Sequence, residues 1–287
     1  AIRVDQIGLN GAWGSHYGEG EGLILDWLPH ARLIFMPWFT YSTTGGNEAS
    51  QQRWYVAQAA NVAAGARSAE LEIYHVTGGA FDSAEPRQTT RVGSGTLRFS
   101  DCANGSLSYV FDPRYNDGAA GTITLSRLSP ATQSCILADG SVQPAPAARP
   151  ASKGFDARQS GSWYEPATGG QGMQLTVQPD GLFFAAWFAY DVAGAADDSG
   201  RQHWFTLQGD LAQAVNGRID LAIVQSVGGA FDSRATRNRY IAGQATLQMQ
   251  GCDRATLTYR FGDDERVGAF AGRSGELEMI KEGGCTP

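Results

Sequence analysis

The segment Thr256-Leu257-Thr258-Tyr259-Arg260-Phe261 alternates polar and apolar side chains with a period of two. A strand places successive side chains on opposite faces, so this period is typical of a strand with one face in a core. A helix would need a period of 3.6 residues, which the segment does not show. The same alternation recurs at Leu107-Ser108-Tyr109-Val110-Phe111, and we predict a strand in both places.

This recurrence is part of a duplication that runs through the chain. The hexapeptide Gly78-Gly79-Ala80-Phe81-Asp82-Ser83 recurs as Gly228-Gly229-Ala230-Phe231-Asp232-Ser233, at an offset of 228 − 78 = 150 residues. The segments beginning at Trp38 and Trp187 match at an offset of 149. We predict two homologous domains, 1–141 and 154–287, joined by a Pro/Ala-rich linker at 142–153. The 150-residue offset also relates Trp13 to Trp163, Trp54 to Trp204, Tyr109 to Tyr259, Cys102 to Cys252 and Cys135 to Cys285.

Each half divides into about eight alternating runs, the strand number of a small barrel. In the first half the runs lie near 11–17, 21–28, 32–41, 52–59, 69–77, 92–100, 106–111 and 121–128. We predict an all-β protein of two tandem, eight-stranded, antiparallel up-and-down barrels, a fold that leaves no exposed strand edge. A two-sheet sandwich is the alternative that the pattern leaves open.

The four cysteines support the barrel arrangement. Cys102 lies in the turn between the sixth and seventh runs and Cys135 lies just past the eighth, so a meander brings both to one end. Cys252 and Cys285 repeat the arrangement, and we predict one disulfide in each half. Disulfides are typical of oxidising compartments. Because the chain opens at Ala1 without a signal-peptide pattern, we expect a secreted or periplasmic protein whose signal peptide has been removed.

The barrel end opposite the cysteines carries the longer, Gly-rich loops, at 14–22, 42–51 and 78–90. Binding sites on β scaffolds favour such loops and barrel mouths, so we expect any ligand to enter there. Candidate ligand-binding residues near this end are Trp38, Tyr41, Trp54, Gly79, Trp187, Tyr190, Trp204 and Gly229. The aromatic residues either line a cavity or simply fill the core, since an eight-stranded barrel is narrow enough for side chains to fill it. Trp38 and Tyr41 are three residues apart on a strand, so at most one faces the interior.

Asp82 and Asp232 of the hexapeptide are the candidates for a catalytic carboxylate. The alternative is that the glycines form a bulge and the aspartates accept backbone hydrogen bonds in a turn. The sequence contains no metal-ligand spacing, nucleophile motif or phosphate-binding loop, so we expect no metal and no cofactor. A net charge of −7 without a basic stripe argues against nucleic acid. No apolar run approaches the roughly 18 residues of a transmembrane segment.

Several motifs of the second half resemble a repeat common in secreted bacterial proteins. They are Gly161-Ser162-Trp163-Tyr164-Glu165-Pro166, Gly170-Gln171-Gly172-Met173, Trp187-Phe188-Ala189-Tyr190-Asp191 and His203-Trp204, with the hexapeptide and the later cysteine. The resemblance covers both halves except the linker, and the first half departs from it at Gly14, where the aromatic residue is missing. The family is largely uncharacterised, so the resemblance implies export and a β fold but no activity. The opening strand and the strand count are also similar in architecture to avidin and lipocalin-like (calycin) barrels.

Three functional hypotheses follow. The sequence favours a secreted or periplasmic, non-enzymatic binding protein whose aromatic-lined barrel mouths take a small apolar or aromatic molecule. The second hypothesis is an interaction or adhesion module whose loops bind a protein or a glycan. The third is an enzyme that uses Asp82 or Asp232 at a barrel mouth.

Overall fold

The computed structural model describes residues 1–15, 21–147, 153–193, 201–234 and 237–285. It contains two closed antiparallel barrels of eight strands, and within each barrel the strands pair in sequence order. Each barrel closes where its first strand pairs with its last, with Trp13 opposite Arg127 and Trp163 opposite Lys281. This closure excludes the sandwich and confirms the predicted pair of meander barrels.

The observed strands lie close to the predicted runs. The first barrel consists of β1 (Gly11–Ser15), β2 (Gly22–Leu28), β3 (Leu33–Tyr41), β4 (Gln52–Ala59), β5 (Ala69–Thr77), β6 (Gln88–Phe99), β7 (Asn104–Phe111) and β8 (Ala120–Arg127). A separate two-stranded sheet joins β9 (Cys135–Ile136) to β10 (Val142–Gln143), and only β10 lies within the predicted linker range of 142–153. The second barrel consists of β11 (Gly161–Tyr164), β12 (Gly172–Val177), β13 (Leu182–Tyr190), β14 (Gln202–Asp210), β15 (Arg218–Val227), β16 (Asn238–Met249), β17 (Arg254–Phe261) and β18 (Ser274–Lys281).

Alternating side chains put an apolar core inside each barrel. In β7, the side chains of Leu107, Tyr109 and Phe111 are buried, whereas those of Ser108 and Val110 are exposed. The same alternation in β17 buries Leu257, Tyr259 and Phe261. The period of two in the sequence therefore reports directly which face of each strand lines the barrel.

Each half contains its own disulfide, as predicted. Cys102 bonds to Cys135 with a Cα–Cα distance of 6.1 Å, and Cys252 bonds to Cys285 with a distance of 5.3 Å. Two disulfides are consistent with an oxidising compartment outside the cytoplasm. Among the described residues, the structure contains no helix long and apolar enough to cross a membrane.

Two compact units make up the fold, and each takes one turn from the opposite half of the sequence. Unit 1 comprises Ala1–Val76, Thr89–Pro146 and Gly228–Arg237, and unit 2 comprises Thr77–Gln88, Ala147–Val227 and Asn238–Pro287. We call Thr77–Gln88, between β5 and β6, turn A, and Gly228–Arg237, between β15 and β16, turn B. Each turn carries one copy of the repeated hexapeptide.

The first stability prediction concerns the disulfides. Replacing Cys102 and Cys135 together by serine should lower the free energy of unfolding by about 3–4 kcal/mol, because the bond closes a long loop in the unfolded chain. Urea unfolding followed by tryptophan fluorescence measures the change.

The matched comparison is the double replacement of Cys252 and Cys285, whose sequence separation of 33 residues equals that of the first pair. A similar cost is expected there. A loss below about 1 kcal/mol in both variants would contradict the loop-closure argument.

Candidate functional site

Turn B fills the mouth of the first barrel with an aromatic ring. The centroid of the Phe231 ring lies 5.2 Å from that of Trp38, 5.5 Å from that of Tyr109 and 5.5 Å from that of Phe111. The two contacts to Tyr109 and Phe111 are edge-to-face, an arrangement that aromatic rings favour. Phe231 is buried and belongs to the core of the first barrel.

Turn A fills the mouth of the second barrel with the ring of Phe81. The centroid of the Phe81 ring lies 5.2 Å from that of Trp187, 5.5 Å from that of Tyr259 and 5.7 Å from that of Phe261. Phe270 adds a further edge-to-face contact at 5.0 Å. The two mouths therefore hold their phenylalanines in nearly the same geometry.

The aspartate that follows each phenylalanine binds a tyrosine hydroxyl. The Tyr109 hydroxyl donates to the carboxylate of Asp232 at 2.6 Å, and the Tyr259 hydroxyl donates to that of Asp82. Burial first and then the neighbouring carboxylate raise the pKa of both tyrosines well above its usual value. Both phenols thus stay protonated at neutral pH, and the two predicted catalytic candidates serve as hydrogen-bond acceptors.

The glycines of the hexapeptide let each turn pass closely over the barrel rim. A Cβ atom built on Gly229 would lie 2.1 Å from the ring of Tyr41, and one on Gly79 would lie 2.2 Å from the ring of Tyr190. These four predicted ligand-binding residues therefore contact each other in pairs. Backbone bonds add to the contact, because Phe231 N–H donates to Ser42 O and Phe81 N–H donates to Asp191 O, both at 3.0 Å.

The remaining predicted aromatic residues divide between the two strand faces. Trp38 and Trp187 belong to the barrel cores. Trp54 and Trp204 are also buried, but they stand next to core residues along their strands and therefore occupy the opposite face. Only Trp38 and Trp187 therefore line a barrel interior among the predicted aromatic residues, which are Trp38, Tyr41, Trp54, Trp187, Tyr190 and Trp204.

Asp191 anchors turn A through its backbone and carries an ionised side chain. The carboxylate of Asp191 lies 3.7 Å from His203 Nε2 and 3.2 Å from a guanidinium nitrogen of Arg201. Its interaction with His203, assisted by Arg201, lowers the pKa of Asp191 well below its usual value. The Asp191 side chain is therefore ionised over the whole physiological pH range and paired with Arg201.

One position under the turns differs between the two barrels. In unit 2, Gln171 accepts the Asp82 N–H at 3.2 Å and donates to Ala80 O at 2.9 Å. The equivalent residue in unit 1 is Glu21, which accepts the Asp232 N–H at 3.3 Å. A glutamate at this position brings an ionisable group into the contact with turn B.

Glu21 is buried in an ion pair. Its carboxylate accepts from the Thr40 hydroxyl and from a guanidinium nitrogen of Arg237 at 2.6 Å. Burial raises the pKa of Glu21 to about 7, and the bonds from Thr40 and Arg237 offset only part of that effect. The group therefore titrates near neutral pH, which exposed carboxylates do not.

A cleft opens at the mouth of the second barrel, beside turn A. It measures about 290 Å³ out to solvent, and its enclosed part has room for about one water molecule. Its base is apolar and its rim is polar. The residues lining it are Trp187, Met173, Leu277 and Met279, then Asp82, Tyr164, Glu165, Thr168, Gln171 and Gly172.

Glu165 is the second carboxylate of this cleft. It accepts a hydrogen bond from the Thr168 hydroxyl at 2.9 Å and one from Glu278 N–H at 3.1 Å. The rim therefore carries two carboxylates, Asp82 and Glu165, and among the described lining residues none is lysine, arginine or histidine.

The first barrel differs at the matching positions. Its sequence has Gly14 and Ser15 where the second half has Tyr164 and Glu165. The side chain of Leu128 lies against Gly14 and Gly22, since a Cβ on either glycine would approach Leu128 Cδ1 to 2.7 or 3.2 Å. Residues 16–20 of the 14–22 loop lie outside the described residues, as do linker residues 148–152.

No protein-family model, curated protein or solved structure matches this chain. The geometry of the two mouths is therefore the basis for inferring a function.

Sequence reasoning missed the residues that do most at these mouths. Phe81 and Phe231 belong to the repeated hexapeptide, but nothing in the local pattern indicates that their rings enter a barrel. The sequence does contain one signal of the site at Glu21. An ionisable glutamate stands there in the first half, whereas the equivalent residue of the second half is the neutral Gln171. Glu165 carried no such signal, since a lone acidic residue near a turn is usually solvated.

The close approach of Gly229 to Tyr41 gives a second stability prediction. Gly229→Ala should lower the free energy of unfolding by about 1–3 kcal/mol, because the added methyl group overlaps the Tyr41 ring and must displace it or the turn. Chemical unfolding measures the change.

Gly262→Ala is the control, since a Cβ there meets only the Ala242 carbonyl oxygen, at 3.7 Å. It should change stability much less. Equal effects at the two glycines would show that general loss of glycine flexibility, rather than the Tyr41 contact, sets the cost.

Glu21 gives a prediction for pH dependence. Its folded-state pKa of about 7 exceeds the ordinary value of 4.5, so the folded chain keeps a proton that the unfolded chain releases between these values. The contribution of this group to stability is complete below pH 4.5 and is lost as pH rises through 7, by up to about 3 kcal/mol.

Urea unfolding at pH 5, 6, 7 and 8 tests this, with Glu21→Gln as the comparison. The variant keeps the shape of the side chain and should lose this downward slope. Parallel curves for the two proteins across this range would contradict the assigned titration.

Proposed function

We propose that the protein is a secreted or periplasmic, non-enzymatic binding protein, and that the cleft of the second barrel takes a small apolar or aromatic molecule. The observation that carries the proposal is the composition of this cleft. An apolar base formed around Trp187 meets a few convergent polar groups at the rim, which is the usual make-up of a small-molecule site.

The base of the cleft suits a flat or apolar group. Trp187, Met173 and Met279 form this base, and each of their side chains is at most 3% exposed. Methionine side chains adapt to ligands of differing shape and contact aromatic rings favourably. Because the enclosed part is narrow, the ligand inserts one small group and leaves the rest at the rim.

The rim selects by charge. Asp82 and Glu165 are both acidic, so a ligand with a hydrogen-bond donor or a positive charge next to its aromatic part is favoured. An otherwise similar anion is disfavoured by repulsion. The net charge of −7 for the chain acts in the same direction.

The second barrel is the better candidate of the two. The first barrel has no counterpart of Tyr164 or Glu165, and Leu128 lies over Gly14 and Gly22 instead. The proposal is therefore narrower than the sequence-based hypothesis, which gave both mouths the same role. The disulfides support the proposed location, since such bonds persist in secreted and periplasmic proteins.

Three related probes test the proposal: indole, tryptamine and indole-3-acetate. Calorimetry should show saturable binding in the order tryptamine, then indole, then indole-3-acetate. Glu165→Gln should weaken tryptamine binding by about two- to tenfold and change indole binding little.

Glu276→Gln serves as the control, because Glu276 lies on the same strand as Leu277 and Met279 but does not line the cleft. It should leave the binding of all three probes unchanged. Absence of saturable binding for every probe, or equal binding of the cation and the anion, would argue against this site.

A further inference from the structure

The two turns share a sequence and a mode of binding, although each fills a different mouth. Turn B lies in the mouth of the first barrel and turn A in that of the second, and both insert Gly-Gly-Ala-Phe-Asp-Ser. The mouths must therefore recognise the hexapeptide itself, whichever strands flank it. Two homologous mouths thus bind the same six-residue sequence, each in its own covalent setting.

Recognition has three parts that recur in both units. A phenylalanine ring enters a cage of one tryptophan, one tyrosine and one phenylalanine, at centroid distances of 5.2 to 5.7 Å. The next residue, an aspartate, accepts a hydrogen bond from the tyrosine of that cage. A glycine two residues before the phenylalanine packs on the tyrosine that ends β3 or β13.

Backbone bonds complete the recognition and fix the direction of the bound segment. Phe231 N–H donates to Ser42 O, and Gly228 N–H donates to Gly46 O, both at 3.0 Å. Main-chain bonds supply affinity, whereas the ring and the carboxylate supply selectivity, as in other modes of peptide recognition.

We infer that each barrel mouth is a receptor for the Gly-Gly-Ala-Phe-Asp-Ser turn, and that a second copy of this chain is the partner that supplies the turn in trans. The hexapeptide of a second copy is identical to the one bound within the chain, so every contact described above can form between two chains. Exchange of an identical element between protomers is a low-cost route to a dimer.

The balance between the closed monomer and the exchanged dimer depends on chain concentration. Within one chain the turn is held near its mouth at a fixed effective concentration, typically millimolar for short connections. A second chain competes only when its own concentration during folding approaches that value. The exchanged dimer is therefore expected when the chain folds in a concentrated solution.

This inference is separate from the small-molecule proposal. Its first test uses the Phe231 cage in unit 1, whereas the proposed ligand cleft lies beside turn A in unit 2. A failure of one is therefore distinguishable from a failure of the other.

The first test opens the mouth of the first barrel in the full chain. Phe231→Ala removes the ring from the Trp38 cage, and a synthetic Gly-Gly-Ala-Phe-Asp-Ser peptide with blocked ends is then titrated against it. Calorimetry should detect binding to the variant and none to the wild type. A peptide with alanine in place of phenylalanine should bind at least about tenfold more weakly.

A peptide with asparagine in place of aspartate probes the bond from Tyr109, and about two- to tenfold weaker binding is expected. If a folded Phe231→Ala protein binds no peptide, or binds the alanine peptide equally well, the receptor inference is wrong.

The second test needs no variant, so it decides the matter even if Phe231→Ala fails to fold. Wild-type chain is unfolded in urea with its disulfides intact and refolded at low micromolar and at about millimolar concentration. Size-exclusion chromatography with light scattering should find monomer in the dilute sample and a dimer fraction in the concentrated one.

An excess of the free hexapeptide during concentrated refolding should suppress that dimer, whereas the alanine peptide should not. Monomer alone at both concentrations would overturn the role of a second copy. A dimer that persists unchanged in excess hexapeptide would overturn the exchange of turns.

Discussion

The interior of an eight-stranded barrel has to be filled, because a void among apolar side chains forfeits contacts that no solvent replaces. In both barrels of this protein the strands alone leave the mouth incomplete. Phe231 completes the aromatic cluster around Trp38, and Phe81 completes the one around Trp187. The other features of the mouths, including the close-packed glycines and the bonded aspartates, hold these two rings in place.

Each aromatic cluster is completed by a turn that is distant in the sequence, and this affects the order of folding. The bond between Tyr109 and Asp232 joins residues 123 apart, and the bond between Tyr259 and Asp82 joins residues 177 apart. Most barrel contacts are hairpins between neighbouring strands, so they form at a much smaller cost in loop closure. The meanders are therefore expected to form before their mouths are filled, which leaves an interval in which the aromatic cages are open.

The two copies have diverged where the turns meet the barrels. Unit 1 holds its turn with the buried ion pair of Glu21 and Arg237, whereas unit 2 uses the neutral amide of Gln171. Unit 2 has in addition Tyr164 and Glu165, with the cleft beside them. Duplication thus produced one mouth without counterparts of Tyr164 and Glu165 and another in which these residues line a cleft with an apolar base.

Much of the fold could be predicted because it depends on local pattern. The alternation in Leu257, Tyr259 and Phe261 assigns a strand and its buried face, and the positions of Cys102 and Cys135 restrict the topology to one that brings them together. The order of the strands in each barrel follows the order of the sequence. The site could be predicted only in part. The repeated hexapeptide marks Gly79, Gly229, Asp82 and Asp232 as candidates, but the residues they contact lie far away in the sequence.

By itself the sequence determined the strands, the duplication, the disulfide pairs and the end of each barrel at which the Gly-rich loops gather. Each of these follows from residue types at fixed spacing within one half of the chain. Only the tertiary structure decided that turn A completes the second barrel and turn B the first, and that the cleft lies beside turn A. The physical reason is that the two hexapeptides are identical, so local chemistry is the same for either mouth. Which turn fills which mouth depends on how the whole chain is connected.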